Sequence, residues 1–235
     1  MTDELERAKA VAAEHAVRAL RPGLRLALGT GSTAAHAVRQ IAAQFPGEHF
    51  DCVASSRATE ELARGLGLAV RPLRGDDRFD VLLDGADEVS DSLALTKGGG
   101  GALLREKLLA RLSAQRVILV DPTKLVHQLG QRSPIPVEVV PFASAVLEAE
   151  FRHQGYGVRR RVAADGNPFR TDNGNEVLDL TPPRPLTDPS ASERELRAAT
   201  GVVETGIFVG LADRVVVGHP DGRVEERVPS RAGRT

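Results

Sequence analysis

Asp84 and Asp87 stand three residues apart in Asp84-Gly85-Ala86-Asp87-Glu88, directly after the apolar run at 79–83. Two carboxylates that close can split their pKa values and divide acid work from base work. They could equally bind a hard cation such as magnesium, or form an ordinary Asp-Gly turn with solvated charges. Lys97 heads the run Gly98-Gly99-Gly100-Gly101. Such a run costs about 0.5–1 kcal/mol per glycine relative to alanine in regular structure, so it belongs where a backbone must approach a ligand closely. Glu106 falls near the first turns of the helical pattern that follows. There the macrodipole favours a carboxylate by about 0.3–1 kcal/mol and keeps it ionised, ready to act as a base. Taken alone, a glutamate in Arg105-Glu106-Lys107 reads as a solvated surface charge.

A third loop suits an anion. Gly29-Thr30-Gly31-Ser32-Thr33-Ala34 follows an apolar run and opens a helical pattern. Its N–H groups and hydroxyls make a compact phosphate cradle. The segment also fits the dinucleotide fingerprint in its alanine form, which asks for an acid at the end of the second strand. Asp51 has about the right spacing but precedes its strand, at the wrong edge of a sheet, and no Walker lysine follows the glycines. A purely structural strand-to-helix turn is the remaining reading. A phosphate anchor, carboxylates that carry protons and polar groups that hold an enediolate together form the inventory of sugar-phosphate isomerisation.

These loops need a scaffold that gathers them. Apolar runs at 24–28, 52–54, 79–83 and 117–120, with a brief one at Val70, alternate with helical patterns. The helices carry Ala34, Ala35, Val38 and Ile41, then residues 60–66, then Leu104, Leu108 and Leu112. This alternation predicts βαβ units and a parallel sheet. Each run ends in polar, glycine-rich sequence, at the edge where open parallel sheets bind ligands. The texture changes near residue 130: Pro134, Pro136 and Pro141 bracket a crossing segment at 137–140, and a helix is predicted at 143–153. Short strands around Val158 and Val177 flank Thr171-Asp172-Asn173-Gly174-Asn175, and another helix spans 192–199. The reading is a small α+β domain over 130–204 and a larger α/β domain over 1–129 and 205–235, with strands at 207–209 and 215–217. The last few residues are expected to fray.

Composition narrows the function classes. A net charge of −1 over 235 residues argues against a polyanion-binding surface. With seven phenylalanines, one tyrosine and no tryptophan, stacking platforms for nucleic acid are hard to build. Cys52, the only cysteine, excludes an intrachain disulfide and a thiolate metal cluster. The acidic, amphipathic start and the lack of a membrane-length apolar stretch predict a soluble cytoplasmic protein with no membrane partner. Only four of the 31 basic residues are lysines: Lys9, Lys97, Lys107 and Lys124. Coding bias accounts for most of the arginine, and a lysine kept against it can mark a place that needs a compact ammonium.

Several blocks in register resemble the ribose-5-phosphate isomerase A family. They are Gly29 to Thr33, Asp84 to Glu88, Lys97 to Lys107, Asp121-Pro122-Thr123-Lys124, Pro136-Val137-Glu138-Val139, Thr171 to Asn175 and Gly201-Val202-Val203-Glu204-Thr205-Gly206. The resemblance implies a Rossmann-like, mostly parallel sheet with helices on both faces, plus a small ferredoxin-like α+β domain. It implies an aldose–ketose isomerase of D-ribose 5-phosphate and D-ribulose 5-phosphate, in the non-oxidative branch of the pentose phosphate pathway. It further implies no metal and no organic cofactor, and a homodimer or homotetramer.

Position by position, Glu106 matches the family's proton carrier between C2 and C1, and Lys97 the residue that stabilises the enediolate. Asp84 and Asp87 match the aspartates that assist ring opening and handle hydroxyl protons, with the division between them open. Ser32, Thr33 and Lys124 match phosphate contacts, and Lys9 aligns by spacing alone with a further basic contact. Thr30, Gly31, Gly85, Ala86, Gly98, Gly99 and Gly100 complete the implied substrate contacts. Gly101 replaces the alanine of some relatives, which loosens the loop. Two other classes fit less well. A sugar-phosphate sensor needs a DNA-binding helix-turn-helix, and residues 1–23 have room for one helix. A coenzyme A transferase needs its nucleophilic glutamate in a different motif.

Overall fold

In the computed structural model, which describes residues 2–229, Leu26, Ala27 and Leu28 are all buried in β1 (Arg25–Leu28). A strand covered on both faces must be apolar on both. Helix α1 (Thr2–Val17) precedes it, and α2 (Ser32–Gln44), β2 (Asp51–Ala54), α3 (Arg57–Gly65) and β3 (Phe79–Asp84) follow. The chain then leaves this sheet for β4 (Glu88–Val89) and β5 (Leu95–Thr96), and returns through α4 (Leu103–Leu112) to β6 (Ser113–Val120). After a second excursion it ends in β12 (Arg214–Gly218) and β13 (Val224–Arg227). The sheet order is β13-β12-β6-β3-β1-β2, parallel throughout except for the edge strand β13.

Side chains alternate across this sheet as the strand period requires. Leu26, Leu28, Leu83, Val117 and Leu119 join Ala12, Val17, Val38, Ile41 and Ala63 of α1, α2 and α3 in one cluster. Ala27, Val53, Phe79 and Leu82 point the other way and meet Leu109 and Ala110 of α4. The stripe predicted for α4 is corrected here: Leu108 is 43% exposed, while Leu103 and Leu109 are buried. Leucines lie all round this helix, so spacing alone does not select the inward face. Val70 forms an isolated bridge to Cys52 rather than a strand.

The excursion after β6 runs β7 (Ile135–Val139), α5 (Ser144–His153), β8 (Gly157–Arg160), β9 (Glu176–Thr181), α6 (Pro189–Ala198) and β10 (Val202–Thr205). Its antiparallel sheet has the order β10-β7-β9-β8, the βαββαβ arrangement of a ferredoxin-like fold. Residues 137–140, expected as a crossing segment, mostly belong to the interior strand β7. Leu147 and Phe151 of α5 and Leu196 of α6 pack on Ile135, Val137, Val139, Leu178 and Leu180. Asp188 caps α6, accepting from Ala191 N–H at 3.0 Å, with Pro189 at the first helical position.

Among the described residues, contacts divide the chain into a first unit of 2–86, 105–124 and 210–229, and a second of Asp87–Leu104 and Leu125–Val209. The sequence places the second domain at 130–204; the second unit runs from 125 to 209 and also takes in 87–104, where β4 and β5 pair with each other and β5 pairs with β11 (Ile207–Phe208). Two-residue strands carry no alternation to read. For the same reason the strand expected at 207–209 serves this small sheet, and the return to the first sheet comes at β12. The fraying expected of the last residues lies outside the described residues.

Burial, with Asp51 alongside, pushes the Cys52 thiol up to about 12. A thiol-directed reagent at pH 8 is therefore expected to leave the native protein unmodified and to label it only on unfolding. Rapid native labelling would contradict that placement.

Candidate active site

From β1 the chain runs outward to the edge strand β2, then returns to β3 on the opposite side of β1. That reversal is a topological switch point, where the loops leaving the two strands part and leave a crevice for ligands. Gly29 directly follows β1, and its backbone is so close to β3 that a Cβ would overlap Asp84 Oδ1 and lie 2.6 Å from Asp84 Cα. The approach lets the buried Asp84 Oδ1 accept from Thr30 N–H at 3.1 Å and Gly85 N–H at 2.8 Å. Thr59 Oγ1 donates to Gly29 O at 2.8 Å, and Thr30 Oγ1 lies 2.7 Å from Ser55 Oγ, so the loop is tied down from the β2–α3 side as well.

Gly31, with a φ of 101°, is the N-cap of α2 and offers no side-chain cap. The first N–H groups of a helix have no acceptor within it, and here they stand beside exposed Ser32 and buried Thr33. After β6, Asp121 accepts from Thr123 N–H at 2.9 Å, and the 3-10 turn Pro122–Lys124 brings Lys124 to the C-terminal edge of the same sheet. Glu106 lies in the first turn of α4 and is only 3% exposed; Lys107 beside it is buried too. Lys9 donates to Glu6 Oε1 at 2.6 Å, and His36 Nε2 lies 2.9 Å from Glu6 Oε2. The hydrogen bonds from Lys9 and then His36 hold the Glu6 carboxyl down to about 2. Lys9 thus belongs to an ion cluster that ties α1 to α2. Asp51 opens β2 and is held by the Arg71 fork, 2.6 and 2.8 Å away, so no acid ends that strand to grip a ribose.

In the second unit, Asp87 Oδ2 accepts from Gly99 N–H at 2.8 Å. Gly101 N–H donates to Gly98 O at 2.9 Å and closes residues 98–101 into a turn. Gly98 and Gly101 have φ of 102° and 78°, the left-handed region that favours glycine. Lys97 is buried, its N–H held by Gly206 O at 2.9 Å and its Nζ 5.7 Å from the centre of the Phe208 ring. Among the described residues no group of three or more His, Cys, Asp or Glu could hold a metal ion.

A family model for ribose 5-phosphate isomerase A (phosphoriboisomerase A) matches residues 51–222. The ribose-5-phosphate isomerase A of Chloroflexus aurantiacus is 46% identical over 224 residues, 94% of this chain and 93% of that one. The chain belongs to the ribose 5-phosphate isomerase A family. Solved structures agree. Ribose 5-phosphate isomerase A from Methanocaldococcus jannaschii matches with a TM-score of 0.87 and 34% identity, over 94% of this chain and 97% of its own. A D-ribose-5-phosphate isomerase in complex with phospho-erythronic acid matches with a TM-score of 0.91 and 34% identity, over 95% and 99%. No helix among the described residues is long and apolar enough to cross a membrane.

Within this family fold, two acids without an assigned role prove to be clamps. Glu88 accepts from the N–H groups of Gly130 and Arg132 at 2.6 Å and of Ser133 at 2.8 Å, fixing the approach to β7. Glu138 is fully buried, and its Oε1 accepts from Thr171 Oγ1 at 2.9 Å, Asn173 Nδ2 at 3.0 Å and Asn175 Nδ2 at 2.9 Å. The Thr171 to Asn175 motif is thus a donor set wrapped round a buried carboxylate, which would be costly to leave unpaired. The sequence carries only a partial signal for it: a glutamate between two valines in Val137-Glu138-Val139 needs partners, but its spacing does not name them. Glu204 accepts from Thr205 N–H at 2.8 Å and lies 3.5 Å from Arg197.

Proposed function

We propose that the chain interconverts D-ribose 5-phosphate and D-ribulose 5-phosphate through an enediolate, with Glu106 as the base. The observation that carries this reading is Glu106 itself, a carboxylate withdrawn from water in the first turn of a helix. The helix N-terminus favours its charged form, and a base away from bulk water has little solvent to reorganise when it takes a proton.

The phosphate docks on Ser32, Thr33 and the N–H groups that open α2, with Lys124 and Lys9 as cationic contacts, and so fixes the far end of the sugar. One of Asp84 and Asp87 moves a proton between the ring oxygen and O1 as the furanose opens. Glu106 then takes the C2 proton. The C–H electron pair becomes the C1–C2 double bond, and the carbonyl pair moves onto O1. Lys97 holds that oxyanion, with backbone groups of Thr30, Gly31, Gly85, Ala86 and Gly98 to Gly100 as further contacts. A proton passes from O2 to O1, Glu106 returns its proton to C1, and the ketose is complete. The related isomerase solved with phospho-erythronic acid supports a site for an open-chain phosphate with negative charge at the opposite end. The chain works as a cytoplasmic homodimer or homotetramer in the non-oxidative branch of pentose phosphate metabolism, without metal or organic cofactor.

The test is a metal-free assay: purified protein, EDTA and ribose 5-phosphate, followed by ketose formation. Enzymatic rates are expected; binding without conversion would point to a sensor instead. In the same assay Lys124→Ala is expected to raise KM about 10–100-fold with kcat little changed, the loss of a charge-assisted contact made equally in ground and transition states. An unchanged KM would remove Lys124 from the phosphate site.

A further inference from the structure

The turn that follows Lys97 is gripped by a residue that has no part in the chemistry above. Arg161 lies just beyond β8, and its Nη1 donates to Gly98 O at 2.9 Å and to Gly99 O at 3.0 Å. Its other two nitrogens face Asp179 of β9, with Nε 3.1 Å from Oδ2 and Nη2 bonded to Oδ1. The two side chains are 15% and 3% exposed. The Phe169 ring lies beneath the guanidinium, its centre 5.6 Å from Cζ. The same ring fills the space beside Gly101, where a Cβ would come within 2.6 Å of Phe169 Cζ. From a different direction Asp87 takes the Gly99 N–H. Side chains therefore engage both carbonyls and an amide of residues 98–99. Four successive glycines would otherwise be among the freest backbone in the chain.

We propose that Arg161, braced by Asp179 and Phe169, is a positioning residue that fixes the turn at 98–101 and thereby the place of Lys97. The inference rests on the enediolate-stabilising role given to Lys97 above. Only a guanidinium suits the position, since its planar fork pairs with a carboxylate on one edge and leaves a further N–H for the carbonyls. The neighbouring arginines do not share the task. Arg160 faces Ser144 and Glu176, and Arg159 is largely exposed and reaches Asp179 at 3.4 Å. A displacement of about 1 Å at a reacting group costs about 10²-fold in rate, so a loosened turn is felt directly at Lys97.

The experiment is steady-state kinetics of the full chain with ribose 5-phosphate, for Arg161→Lys and Arg161→Met, each in the native and the Lys97→Ala background. Arg161→Lys keeps a cation against Asp179 and guards against a variant that fails to fold. It is expected to lower kcat about tenfold with KM within about threefold, and Arg161→Met to lower kcat further. In the Lys97→Ala background, Arg161→Lys is expected to change kcat less than about twofold, because the group it positions is gone. An equal loss in both backgrounds would mean that Arg161 acts on stability or through another group, and would overturn the proposal. So would a native-background kcat within about twofold of the unmodified protein. Full activity of Lys97→Ala would remove the role of Lys97, and the proposal with it; that failure is told apart because it appears without touching Arg161.

Discussion

Glu106→Gln is expected to lower kcat by about 10²–10⁴-fold while KM stays within a factor of about three. Glutamine has nearly the shape of glutamate, so the packing round a side chain that is almost wholly buried is kept. What disappears is the capacity to accept a proton from C2. The phosphate contacts proposed above belong to other residues, so ground-state binding should survive, and the loss should fall on kcat and kcat/KM alike. A second measurement makes the test specific to proton transfer. With the native protein in deuterated solvent, deuterium should enter the substrate to the extent that the Glu106 proton exchanges with solvent before it returns to C1, and with Glu106→Gln that incorporation should fall with kcat. Near-normal turnover, or incorporation that outlasts the loss of turnover, would show that another group is the base.

Gly29→Ala is expected to damage both the fold and the chemistry. The new Cβ would overlap the Asp84 carboxylate and lie 2.6 Å from Asp84 Cα. A flexible side-chain end could turn away, but a backbone atom in a paired strand cannot, so β1 and β3 must separate. Forced overpacking of this kind costs about 1–3 kcal/mol or more. The separation would also break the hydrogen bonds from Thr30 N–H and Gly85 N–H that orient Asp84, lowering kcat by about 10²-fold. Gly65→Ala is the control. It lies at the end of α3, where a Cβ meets nothing within 4 Å. That substitution should leave activity intact and hold or raise stability by about 0.4–1 kcal/mol. Thermal unfolding and kinetics of the pair decide the matter. A Gly29→Ala protein with native melting temperature and rate would mean that the β1–β3 approach is not closed to a methyl group.

The features legible in sequence are those where a residue type is tied to one local geometry. Glycines at 29, 31, 98 and 101 mark a close approach or a left-handed turn whatever surrounds them, and all four are used so. Short apolar runs bounded by glycine-rich loops became parallel strands, buried on both faces of the sheet. Partner choice was not legible. Asp84, Asp87 and Glu88 lie within five residues, yet one binds the loop after β1, one the glycine turn and one the segment at 130–133. The run Arg159-Arg160-Arg161 is worse still. Strand alternation sends residues 159 and 161 to one face and 160 to the other, but only the register that sets Arg159 opposite Asp179 determines which acid they meet.

By itself the sequence determined the strand–loop–helix units, the glycine positions, the turn that opens α2 and the family. These follow from short-range sterics and from motifs whose residues are near neighbours along the chain. Only the tertiary structure decided which buried acids are clamps, which arginine braces the Lys97 turn, which face of α4 points inward and that 87–104 joins the second unit. Those outcomes depend on side chains tens of residues apart meeting at a few ångströms. Hydrogen bonding and desolvation act over that short distance, and one-dimensional spacing carries no record of it.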